Sequence, residues 1–145
     1  MIMCHLIKLK TNKGFGIQDL TEKVRKIIEK SGIRNGYVII FTKHTTTGLS
    51  VCEKETRLIE DTKRFLERLA PKNDKYLHDD VHLRDCPPDE RQNGHSHIKA
   101  LILNRSEVIP IANGEMMLGT WQSIILFELD GSREREVVVQ VGGDK

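Results

Sequence analysis

VIPIANGEMMLGTWQSIILFELDGSREREVVVQV, residues 108–141, is the stretch that decides the fold class. Val108 to Ala112 is apolar and β-branched, which suits a pleated strand. Asn113-Gly114 follows it, the dipeptide that most readily adopts the positive φ angles of a two-residue hairpin turn. Glu115 to Leu118 then returns as the partner strand. Trp121 to Leu129 reads as a long apolar strand, Asp130-Gly131 turns it, and Glu134 to Val141 pairs back. Links this short join antiparallel neighbours, because a parallel crossover needs a dozen or more residues.

Upstream, the pattern is mixed. His5 to Lys10 alternates, with Ile7 and Leu9 on one face and Lys8 and Lys10 on the other, and Thr11 to Gly14 carries turn residues. From Asp19 the period changes to that of a helix, with Leu20, Val24, Ile27 and Ile28 on one stripe. Asp19 or Thr21 suits its N-terminus and Gly32 its end. Tyr37 to Thr42 reads as a buried strand and Leu49 to Glu53 as a short one. A second helix is expected from Thr56 to Leu69, burying Leu58, Ile59, Phe65, Leu66 and Leu69, with Pro71 as its stop. Lys72 to Gly94 has few apolar residues and no period. A loop of that length inside one domain usually carries function or is disordered, and the histidines in it favour function. His97 to Asn104 suits a short helix, with Ile98, Leu101 and Ile102 sharing a face. The expected architecture is α+β: a mainly antiparallel, β-sandwich-like core with two helices inserted early, in a single domain spanning residues 1–145.

The bulk properties fit that picture and exclude several classes. The chain has 145 residues, 38% apolar and 30% charged, ordinary for a globular domain. Its 23 basic and 21 acidic residues leave a net charge of +2, too balanced to imply nucleic-acid or membrane binding. No apolar run is long enough to span a bilayer, and Met1 to Lys10 lacks the features of a signal peptide, so a cytoplasmic protein is expected. Cys4, Cys52 and Cys86 are odd in number and widely spaced, which argues against a disulfide framework or a thiolate zinc site.

The chemistry concentrates in histidines. His78, His82, His95 and His97 fall within twenty residues, and His44 follows the Tyr37 strand. Imidazole is the commonest metal ligand and titrates near neutral pH, so the group suits metal binding, proton transfer or both. His78-Asp-Asp-Val-His82 has the two-histidine spacing of a zincin helix, but Asp stands where Glu is needed and no apolar face surrounds it. His5 reads as a surface strand residue. Glu53 is placed either as a general base or as an exposed carboxylate, and Asp79 either as a partner for a ligand imidazole or as a solvated acid. Trp121 suits the core or a pocket wall, and Cys52 suits the core.

One combination goes further. His44-Thr45-Thr46-Thr47-Gly48-Leu49, Glu53, Tyr76-Leu77-His78-Asp79, Ser96-His97-Ile98-Lys99-Ala100 and Gly119-Thr120-Trp121-Gln122 occur in this order. Together with the closing Val137 to Val141 strand they resemble the YjbQ family, also called secondary thiamine-phosphate synthase, over nearly the whole chain. The resemblance implies a homotrimer with a polar pocket in each copy. In that pocket His44, His78 and His97 would bind a divalent metal such as zinc, and Glu53 would carry protons. Lys99 would stabilise a departing phosphate, and Thr45, Thr46, Asp79, Ser96, Trp121 and Gln122 would line the pocket. It also implies a small phosphorylated or anionic substrate, handled by a transferase like thiamine-phosphate synthase or by a metal-dependent hydrolase. A non-catalytic trimer that binds a metabolite or anion is the alternative. His82 and His95 lie where the family pattern tolerates other residues. The Asp- and Pro-rich insertion Val81 to Gln92 departs from that pattern.

Overall fold

A computed structural model describes residues 1–145. The chain runs β1 (Ile2–Lys10), β2 (Gly14–Asp19), α1 (Thr21–Ser31), β3 (Asn35–Thr42), β4 (Thr47–Cys52) and α2 (Thr56–Leu69). After a segment with two short 3₁₀ turns come α3 (Gly94–Ile102), β5 (Ser106–Ala112), β6 (Glu115–Met116), β7 (Ser123–Gly131) and β8 (Glu134–Asp144). The large sheet has the order β1-β8-β3-β5-β6 and the small one β2-β7-β4, antiparallel at every pairing. The α+β sandwich expected from the sequence is therefore the fold.

The small sheet is the middle layer. Its Ile124, Leu126 and Leu49 face the large sheet and share a core with Val38, Ile40, Val137, Val139 and Val141. Val24 and Ile28 of α1 join that core. On the opposite face Ile125, Phe127 and Leu129 pack against Leu66 of α2 and Ala100 of α3. Strand β7 is thus covered on both sides, which is why its sequence is continuously apolar rather than alternating. Burying each such side chain contributes about 1.5–3 kcal/mol.

The other face of the large sheet has no covering layer. Leu6, Val138 and Phe41 lie in one row across β1, β8 and β3, and Ile39 stands beside Val108 in the next. Leu6 is 51%, Phe41 42% and Val108 61% exposed. This corrects the reading of Tyr37–Thr42 as wholly buried: Val38 and Ile40 point into the sandwich, whereas Tyr37 and Phe41 point out.

Other boundaries also differ. Strand β2 lies outside the strands expected from the sequence: only Phe15 and Ile17 alternate in it, packing against the outer core of the small sheet, and its pairing with β7 shifts register between Gly14 and Gly16. Only Leu66 of α2 is fully buried; Leu58, Phe65 and Leu69 are exposed, since the helix rests on the small sheet by a narrow line. Helix α3 begins at Gly94, and its inward residues are Ser96, Lys99 and Ala100, while Ile98, Leu101 and Ile102 face outward. Strand β7 starts at Ser123, so Trp121 sits in the preceding turn and is 73% exposed rather than core. Strand β6 ends at Met116, two residues short of the expected Leu118.

Candidate functional site

Helix α3 brings together most of the residues expected to do chemistry, and local contacts fix its pose. Ser96, fully buried, donates its hydroxyl to the Leu129 carbonyl at 2.6 Å. Asp79 accepts the Gly94 N–H at 2.9 Å, which satisfies one of the free donors at the helix start. A Cβ on Gly94 would lie 2.7 Å from the Tyr76 Cβ, so the 76–79 turn can close over the helix only because residue 94 is glycine. Asp79 and Ser96, expected as pocket residues, therefore position the helix.

With Ser96 and Ala100 facing inward, the 100° step per residue sends His95 and Lys99 to one flank and His97 to the other. On the His97 flank, the His78 and His97 rings meet edge to face with centroids 4.5 Å apart. Burial first, and then the nearby His78, pushes the His97 pKa below its ordinary value, so the ring is neutral at pH 7. On the other flank, the Lys99 ammonium donates to Glu67 Oε2 at 2.5 Å and to His95 Nδ1 at 3.1 Å. Burial, followed by the Lys99 charge, also lowers the His95 pKa, which suits a neutral ring accepting at Nδ1. Glu67 Oε1 accepts the Lys72 N–H at 2.8 Å. Burial raises the Glu67 pKa, but these two hydrogen bonds outweigh it and hold the carboxyl below its usual range.

This triad opens into a cavity of about 440 Å³ between α2, α3 and the end of β7. Lys13, Lys63, Lys72, Arg91 and Lys99 line it, against only Glu67 and Asp130. Asp130 is already engaged: it accepts from Asn93 at 2.7 Å and from Arg133 at 2.7 Å, and Arg91 lies 3.6 Å away. Burial would raise its pKa, but the Asn93 and Arg133 hydrogen bonds win and lower it. The lining thus carries a net charge of +3, more than the +2 of the whole chain.

His44 belongs to a different place. Its Nε2 accepts the Glu136 N–H at 2.8 Å, and it lines a cavity of about 490 Å³ with Lys8, Lys10 and Arg135. Burial, then the Arg135 charge, lowers its pKa. Beneath it lies a buried ion pair in which Arg135 donates to both oxygens of Glu128, at 2.6 and 2.5 Å, and to Thr46 at 2.8 Å. Thr46 is buried in this network, whereas Thr45 is exposed.

No three His, Cys, Asp or Glu side chains converge on a common centre. His78 and His97 meet, and His44 does not join them, so one chain does not assemble the expected three-imidazole cluster. Glu53 is exposed just past β4 and does not complete a three-ligand group with the histidine pair. Gln122 accepts the Gly119 N–H at 2.8 Å within its own turn, and neither it nor Trp121 lines the cavities holding His44 or His95. Sequence reasoning missed Glu67, Asp130, Glu128 and Arg135. The Glu128 signal was visible as one acid inside an apolar strand; Glu67 lay unmarked on an evenly charged helix.

Fold and site define a class: a two-sheet α+β domain whose histidine-bearing helix lies over the small sheet beside a cationic cavity. The chain belongs to the YjbQ-like UPF0047 family, whose model matches residues 5–144. It is 39% identical to a UPF0047 protein of Archaeoglobus fulgidus over 134 residues, covering 92% of this chain and 97% of that one. It is 37% identical to a UPF0047 protein of Methanothermobacter thermautotrophicus over 137 residues, covering 94% and 90%. Among solved structures, a YbjQ-like protein of unknown function from Sulfolobus solfataricus superimposes with a TM-score of 0.88 at 34% identity, covering 99% of both chains. A hypothetical protein from Aeropyrum pernix gives a TM-score of 0.88 at 32% identity, covering 98% and 99%. No helix is long and apolar enough to cross a membrane.

Proposed function

We propose that this protein is an enzyme acting on a small phosphorylated or anionic metabolite in the cavity beside Lys99. The observation that carries this reading is the arrangement of that lysine: nearly buried, hydrogen-bonded to Glu67 and His95, and facing a cavity with four further cations. Cations fixed where negative charge develops lower the barrier for a departing phosphate. His95, in the same lining and with its pKa lowered by burial and Lys99, is suited to accept a proton. The weak thiamine-phosphate synthase activity implied by the resemblance is one reaction of this kind, since it releases pyrophosphate. The alternative is a binding protein that holds an anion in the same cavity without turnover.

Zinc at a catalytic site asks for three protein ligands. One chain offers the His78–His97 pair, and His44 Nε2 is committed to the Glu136 N–H, so His44, His78 and His97 do not fit a metal within a single copy. A divalent metal would need a ligand from a second copy, and no chemical step is assigned to it. The homotrimer is part of the proposal. The uncovered apolar rows of the large sheet support it, because soluble monomers rarely expose contiguous patches of that kind. We also place the protein in the cytoplasm, with which the three free cysteines agree.

The test measures pyrophosphate release from a pyrimidine diphosphate in the presence of a thiazole phosphate, alongside saturable binding of phosphorylated metabolites. Turnover that falls at least tenfold in Lys99→Met is expected. Binding without turnover would favour the alternative, and neither binding nor turnover would sink both. Metal analysis of purified wild type, His78→Ala and His97→Ala tests the metal separately; a wild type that holds none, after zinc is supplied and excess removed, ends that part.

A further inference from the structure

The Lys99–Glu67 contact is unequal. The lysine side chain is 8% exposed and the glutamate side chain 50%. A buried ammonium needs a partner, because an uncompensated charge away from water is costly. Glu67 supplies one from the rim of the cavity and is itself half exposed, so it can leave for water at little cost. His95 Nδ1 is the second acceptor and does not carry the compensating charge.

We propose that Glu67 is a displaceable stand-in for a phosphoryl group, and that Lys99 is the inner cation of a phosphate or diphosphate seat. This rests on the preceding reading of the cavity and deepens it by naming the ligand group and the residue it replaces. An entering phosphoryl oxygen takes the place of Glu67 Oε2 on Lys99 Nζ. Lys63 and Lys72, which line the same cavity, are placed to balance the remaining charge. Glu67 keeps its bond from the Lys72 N–H through Oε1, so its release from Lys99 need not unravel the end of α2. Asp130, the other carboxylate of the lining, does not compete, because Asn93 and Arg133 hold it. Charge-assisted bonds to phosphate are stronger when the donor is already fixed, and His95 and Glu67 fix the lysine before the ligand arrives.

The distinguishing consequence is a gain of binding when an acid is removed. Calorimetry with inorganic pyrophosphate is run on wild type, Glu67→Gln, Lys99→Met and Glu60→Gln, with citrate as an anion lacking phosphorus. Glu67→Gln is expected to tighten pyrophosphate roughly tenfold, the scale of one hydrogen bond to a charged group. Lys99→Met is expected to abolish binding. Glu60→Gln makes the same charge change two turns earlier on α2, outside the cavity lining, where Glu60 pairs with Arg64, and is expected to leave affinity unchanged. A gain in Glu67→Gln cannot come from misfolding, which covers the case in which Lys99→Met is unstable. Weakened binding in Glu67→Gln, or an equal gain in Glu60→Gln, overturns the displacement. Citrate binding as tight as pyrophosphate overturns the phosphoryl assignment. If Lys99→Met binds and turns over phosphorylated compounds as wild type does, the seat lies elsewhere and the enzymatic reading survives without it. If no phosphorylated compound binds wild type or Glu67→Gln, both fall.

Discussion

Replacing Arg135 by methionine leaves the Glu128 carboxylate buried with its main partner gone. The two side chains are 4% and 2% exposed, and Arg135 also donates to Thr46. Burial on its own raises the Glu128 pKa; hydrogen bonds from Arg135, the Asp130 N–H and Thr11 reverse that and hold it below the usual carboxylate range. Removing one partner of such a pair typically costs about 3–5 kcal/mol, which for a chain of this size lowers Tm by roughly 10–15 °C. That is a large share of the roughly 5–15 kcal/mol that holds a domain folded. The double variant Glu128→Leu, Arg135→Met removes both charges. It should recover most of the loss, leaving about 1–3 kcal/mol for the Asp130 N–H, Thr11 and Thr46 groups that lose partners. Urea and thermal unfolding of wild type, single and double variants measure the difference. A single variant within about 1 kcal/mol of wild type, or a double variant no better than the single, would refute the claim that the pair is dry and charged.

Three further outcomes are expected. Stability should decline as pH falls below about 6.5, because His44, His95 and His97 have folded-state pKa values below their unfolded ones: their contribution is complete above the unfolded value and is lost as pH drops through the folded values. Glu67, Glu128 and Asp130, also lowered, should extend the loss below the ordinary carboxylate range, and urea melts across this pH span would contradict both statements if the midpoint stayed flat. Ser96→Ala removes the buried bond to the Leu129 carbonyl and should cost about 1–3 kcal/mol, with amide exchange in α3 rising before that in β7. Phe41→Glu, on the uncovered sheet face, should convert the proposed homotrimer to smaller species by light scattering; a wild type that is already monomeric, or an unchanged mass, would remove that face from an interface.

The fold was legible where one residue's neighbours determined its state. Asn113-Gly114 announces its hairpin by backbone preference alone, and Leu20, Val24 and Ile28 announce α1 by their period. What a pattern does not state is which face another layer covers. Phe41 and Val38 are equally apolar, yet only Val38 meets the second sheet; Leu58 and Phe65 of α2 look like core and lie outside it. The candidate site divides in the same way. His78 and His97 meet because the 76–79 turn folds back over α3; their sharing one site was implied by the resemblance alone, since spacing does not state which loop returns to which helix. His44 was expected to join them and instead faces Glu136 on β8, because β3 delivers it to the large sheet whereas α3 lies beyond the small one. Glu67 becomes informative only when α2 is placed against Lys99, a meeting of residues 32 positions apart.

Strand β1 hydrogen-bonds to no strand except β8, from Ile2 opposite Gly142 to Lys10 opposite Glu134. Strand β1 must therefore wait for β8, made long after it, before it finds a neighbour, and β3 also needs β8 on its other side. Such long-range closure favours slow folding. On the ribosome, the large sheet cannot close until β8 has emerged, and until then its apolar strands would be candidates for chaperone binding.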